Sequence, residues 1–71
     1  MLEFAKDFIA QIDTYCRVMG ISASTYGERA MNDRSFVHQV RSGARNPSLR
    51  TIDRNGKYMA AHPPVENEDA A

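Results

Sequence analysis

Between residues 3 and 19 apolar side chains return every three or four positions: Phe4 or Ala5, Phe8 with Ile9, Ile12, Tyr15 with Cys16, then Met19. That period predicts a helix with one buried stripe, leaving Lys6, Asp13 and Arg17 to reach water. Its polar side is not enriched in Lys or Arg, which argues against a helix lying on a membrane surface. Gly20 follows the last periodic residue and suits a left-handed C-terminal cap.

A second helix is expected after Ile21, capped by Ser22 or, two residues later, by Ser24. Tyr26, Ala30 and Met31 supply its buried face. Gly27 costs about 1 kcal/mol relative to Ala inside a helix, a cost that makes sense where another helix crosses closely. Met31-Asn32-Asp33 reads as a turn, with Asn32 tolerating positive φ and Asp33 capping a third helix from Arg34 to Ser42. Val37 and Val40 need burial there, whereas Arg34, Ser35, His38, Gln39, Arg41 and Ser42 stay polar. Gly43 ends that helix and Pro47 prevents an immediate restart.

Ser48 then caps a fourth helix with Leu49, Ile52, Gly56 and Met59 on its inner face. Asn55-Gly56 is either a turn or part of a continuous helix with Gly56 at a tight contact, and the continuous helix is favoured. Pro63-Pro64 stops any helix. The pattern predicts an all-α fold, a compact bundle of four to five short helices. Residues 1–60 form its domain, and residues 61–71 an acidic, disordered tail. That tail either aids solubility or folds on a protein partner.

Composition narrows the classes. A chain of 71 residues with 42% hydrophobic content holds one core close to the lower limit of independent stability. The net charge of zero hides a division, because seven of the nine basic residues lie between Arg29 and Lys57. Residues 21–58 are thus net basic and both flanks are net acidic, the pattern of a basic face on a folded domain. Cys16 is the single cysteine, so an intramolecular disulfide and a zinc site of several thiolates are excluded. It reads as a small core residue. No apolar run suits a signal peptide or a bilayer span, so a cytoplasmic protein is expected. His38 and His62 have no partner set for metal or acid–base work. No catalytic residue, metal or cofactor is expected.

Two short helices joined by so small a turn pack steeply, and the second can then protrude into the DNA major groove. The run Gly43-Ala44-Arg45-Asn46-Pro47-Ser48-Leu49 and the apolar positions Ile21, Val37, Val40, Leu49 and Ile52 carry a family pattern. Over Gly20–Met59 the chain resembles the lambda-repressor-like (Cro/C1-type, XRE-like) helix-turn-helix family. It departs from that pattern at Gly27, where alanine is usual, at Met31, where a turn glycine is usual, and at Arg41, where an acid is frequent.

The resemblance implies that the helix after Asp33 is a recognition helix. It also implies that Arg45 and Asn46, in the loop after that helix, meet the sugar-phosphate backbone. The residue types point the same way. Arg34 suits a bidentate pair with guanine O6 and N7, and Gln39 suits adenine N6 and N7 or a single base-edge contact. Ser35 and His38 are secondary base readers. Phe36 is either core or an apolar contact to a thymine methyl. Arg41, Ser42 and Arg50 can add phosphate contacts, as can the N–H groups that open helices 2 and 4.

The function expected is a sequence-specific transcriptional regulator, a repressor, binding double-stranded DNA. One such module offers a small contact surface, so a homodimer on an inverted repeat is expected, its half-sites about 34 Å apart. The alternatives are an antitoxin whose main partner is a protein, and a phage excision or replication factor.

Overall fold

The computed structural model describes residues 3–64. These form α1 (Glu3–Met19), α2 (Ala23–Met31), α3 (Phe36–Ser42) and α4 (Leu49–Ala61), and no strand is present among the described residues. The protein is all-α, a small helical bundle.

The stripe of α1 forms one wall of the core. Ala5, Phe8, Ile9, Ile12, Tyr15 and Cys16 are buried, against Tyr26 and Ala30 of α2 and Phe36, Val37 and Val40 of α3. Aromatic rings meet edge to face, Phe8 with Phe36 at 6.3 Å and Tyr15 with Tyr26 at 5.6 Å between centroids. This is the offset that ring quadrupoles favour. At the end of α1 the N–H groups of Ile21 and Gly20 bond back to the carbonyls of Cys16 and Arg17. That paired closure needs the left-handed backbone of Gly20, at φ +73°. Ser22 caps α2 by accepting from the Thr25 N–H, and Ser48 caps α4 by accepting from Thr51.

α4 is continuous through Asn55-Gly56, but its inner face differs from the expected one. Ile52, Tyr58 and Met59 are half-buried and Asn55 is wholly buried, whereas Leu49 is 81% exposed. Pro47, two residues earlier, is the buried residue at this end. Gly56 makes no tight contact, since a Cβ there would meet nothing within 4 Å. Asn55 is tolerated in the core because its polar atoms are paired. Its Oδ1 accepts from the Tyr26 hydroxyl at 2.5 Å, and its Nδ2 donates to the Thr51 carbonyl at 2.8 Å.

The folded unit also extends past residue 60. Ala61 belongs to α4, and the Tyr15 hydroxyl donates to the His62 carbonyl at 2.6 Å, tying the end of α4 to α1. The acidic stretch from Val65 onward lies outside the described residues.

Candidate nucleic-acid interface

The α2–α3 connection sets where the polar side chains of α3 point. α2 ends at Asn32, which adopts the left-handed region at φ 57° without being glycine. An Asn side chain is small and polar enough to sit there at modest cost. The chain then folds back over Gly27, whose carbonyl accepts from the Asp33 N–H at 3.1 Å. A Cβ at Gly27 would lie 2.5 Å from the Asp33 carbonyl oxygen and 3.5 Å from the Phe36 Cβ. The close crossing expected from the sequence is therefore real, and the turn backbone itself fills the space.

Asp33 organises the start of α3, though not as a simple cap. Its Oδ1 accepts from both the N–H and the hydroxyl of Ser35, at 3.0 and 2.8 Å, while its carbonyl accepts from the Phe36 N–H. Arg34 and Ser35 consequently sit in a turn, and α3 proper begins at Phe36 rather than at Arg34. The Ser35 hydroxyl and the Arg45 guanidinium, in that order of weight, hold the Asp33 carboxyl below the ordinary carboxylate range.

The expected base-reading residues divide. Arg34, Ser35 and His38 are exposed, and Gln39 is half-buried at the edge of the same face. Phe36 is fully buried against Phe8. Of its two readings only the core one holds, and no thymine contact is open to it. Of the expected phosphate contacts, Arg41, Ser42, Asn46 and Arg50 are exposed.

Three arginines around this face already hold carboxylates. Arg34 pairs with Glu28 of α2. Arg41 reaches both carboxylate oxygens of Asp13 on α1, at 2.8 and 3.2 Å. That fork lowers the Asp13 pKa and raises that of Arg41. Arg45 is the most enclosed. Its Nη1 donates to Asp33 Oδ2 at 2.9 Å and to Gln39 Oε1 at 3.1 Å, and its guanidinium lies 4.9 Å from the Phe36 ring centroid. Its backbone N–H also donates to the Gln39 carbonyl. Arg29, Arg50 and Arg54 have no carboxylate partner among the described residues, while Lys57 pairs with Asp53 one turn away. The partners Asp13, Glu28 and Asp33 were not identified as such from the sequence. Only Glu28, six residues from Arg34, is near enough for a turn to bring it there.

The first turns of α2 and α4 contain no acidic residue, so the positive ends of their dipoles are not offset locally. Cys16 is buried, and burial raises its pKa, which fits a core thiol. The described residues enclose no pocket and hold no group of three or more His, Cys, Asp or Glu suited to a metal. Among them no helix is long and apolar enough to cross a membrane. The chain matches no family model, no curated protein and no solved structure.

Proposed function

We propose that this chain is a sequence-specific DNA-binding regulator of the lambda-repressor-like, Cro/C1 type. It places α3 in the major groove and acts in the cytoplasm as a homodimeric repressor on an inverted repeat. The observation that carries this reading is the mounting of α3. Phe36, Val37 and Val40 anchor one side of it in the core, while His38, Arg41 and Ser42 on the helix, and Arg34 and Ser35 in the turn before it, are exposed. A seven-residue helix with so polar an outer side, rigidly held by the Gly27 crossing, has the form of a groove reader. The acid-free N-termini of α2 and α4 and the exposed Arg50 suit phosphates on either side, fixing position without reading sequence.

Selection from a randomised duplex library, followed by mobility-shift titration, tests the proposal. The expected result is a two-fold symmetric site bound by two protomers. Arg34→Ala should then relax preference at one base pair per half-site, on the order of 1–3 kcal/mol of discrimination. Equal binding to all sequences at moderate salt refutes the specific-regulator reading.

A further inference from the structure

Gln39 is expected either to read adenine with both arms of its carboxamide or to meet a base edge singly, and its oxygen already accepts from a neighbour. Arg45 Nη1 lies 3.1 Å from Gln39 Oε1. Guanidinium groups only donate, so the atom facing Arg45 has to be the oxygen. The neighbour's chemistry thereby fixes the orientation of an amide that geometry alone leaves ambiguous. Arg45 cannot easily swing away. It is held by Asp33 Oδ2 at 2.9 Å, lies against the Phe36 ring, and its own N–H is bonded to the Gln39 carbonyl. Gln39 Nε2 has no acceptor among the described residues, and no buried side-chain nitrogen or oxygen there lacks a partner, so Nε2 reaches solvent.

We infer that Arg45 is a specificity-determining positioning residue, which holds the carboxamide oxygen of Gln39 toward itself, presents the NH2 outward and so directs Gln39 to guanine instead of adenine. This rests on the proposed DNA-binding function. Adenine's major-groove edge offers one acceptor, N7, and one donor, N6, and a carboxamide matches it only when both arms face that edge. Guanine offers two acceptors, O6 and N7, and no donor. With Oε1 turned toward Arg45, the outward NH2 finds acceptors on guanine, whereas the N6 donor of adenine would have to use the second lone pair of Oε1 beside the N–H donors of Arg45. Arg45 itself touches no base in this scheme and acts through Gln39.

The test is library selection with the full chain and three variants, read out as the guanine-to-adenine ratio at each base pair. The wild type should select guanine at one base pair per half-site whose preference Gln39→Ala abolishes. Arg45→Met keeps an unbranched stem over Phe36 but frees Oε1, and should shift that pair alone toward adenine by about tenfold. Asp33→Asn, whose amide oxygen can still accept from Ser35, loosens Arg45 and should shift the same pair less. General destabilisation lowers binding to every site alike and cannot produce such a switch.

Three results overturn the inference while leaving the regulator reading in place. They are a base other than guanine at the Gln39-dependent pair in the wild type, no base pair that depends on Gln39, or an unchanged ratio in Arg45→Met and Asp33→Asn. A wild type without any sequence preference overturns both.

Discussion

Gly27→Ala and Gly56→Ala make the same chemical change within two helices and should have opposite signs. Each replaces a helical glycine, and each gains about 1 kcal/mol of helix propensity if the methyl fits. At Gly56 a new Cβ meets nothing within 4 Å, so the full gain should appear. At Gly27 it would sit 2.5 Å from the Asp33 carbonyl oxygen, with Phe36 Cβ at 3.5 Å and the Arg34 carbonyl at 3.6 Å. Ordinary contact requires that oxygen to retreat by about 0.9 Å. It is a backbone atom and the acceptor of the Phe36 N–H that opens α3, so it cannot yield as a flexible side chain would. Overpacking of this kind costs about 1–3 kcal/mol. Set against the propensity gain, Gly27→Ala should be destabilising by about 1 kcal/mol. Thermal unfolding followed by circular dichroism resolves both effects, since 1 kcal/mol moves the midpoint of so small a domain by about 4–8 °C. A Gly27→Ala midpoint at or above wild type would show that the turn relaxes freely, and the close-crossing argument would fail.

Other perturbations follow from the buried pairs and the ion pairs. Tyr26→Phe leaves the buried Asn55 oxygen without its donor and should cost about 1–3 kcal/mol. Adding Asn55→Leu should recover part of that loss, and strictly additive losses in chemical denaturation would contradict the pairing. Asp13 and Asp33 both have folded pKa values held below 3.8. The stability they contribute is present above the unfolded value and is lost as pH falls through the lower folded value. The melting temperature should therefore decline below about pH 4, and Asp13→Asn with Asp33→Asn should flatten that decline. An acid limb of unchanged steepness would remove these two groups as its cause. Leu49→Ser should change stability by no more than about 0.5 kcal/mol, because Leu49 is 81% exposed; a larger loss on urea titration would mean that the residue is covered in solution. On the proposed function, Asp13→Asn frees Arg41 for a phosphate and should steepen the salt dependence of DNA affinity by about 0.9 in log–log slope. A slope equal to wild type would show that the aspartate does not compete.

Local signals in the sequence were reliable where local physics decides. The α1 stripe, Ser22 and Ser48 as caps, Asn32 in the left-handed region and Gly43 at the end of α3 depend on a few neighbours each, and all stand in the structure. The failures share a different cause. Leu49 has the right spacing for the inner face of α4, but spacing does not say how far the covering helix extends, and Pro47 is buried there instead. The helix favoured through Asn55-Gly56 is present, but the burial of Asn55 was not foreseen because the Tyr26 partner that makes it tolerable lies 29 positions away. α3 starts later than expected because Asp33 captures both the N–H and the hydroxyl of Ser35, a choice that Asp residues make against helix as readily as for it. Phe36 was ambiguous in sequence because an aromatic at a helix start serves a core or a groove equally well. Only the position of Phe8 decides between them.

The zero net charge takes on a different meaning once the partners are known. Counting residues suggested a basic face offset elsewhere in the chain, yet three of its arginines are offset on the spot by Glu28, Asp13 and Asp33. Paired charges a few ångströms apart present little field beyond a Debye length of about 8 Å. The long-range attraction toward a polyanion would then fall mainly to Arg29, Arg50 and Arg54, which lie on α2 and α4. Exposed ion pairs contribute little to folding, typically about 0–1 kcal/mol, so their stabilising role is small. Their larger consequence on the proposed function is for discrimination. An arginine such as Arg34 that gives up its carboxylate only for a well-placed guanine gains little from a misaligned sequence. Non-specific binding is then held down more than specific binding. On the proposed function, separating the steering charges on α2 and α4 from the restrained Arg34 ahead of α3 would let one small domain associate quickly without adhering to every sequence it meets.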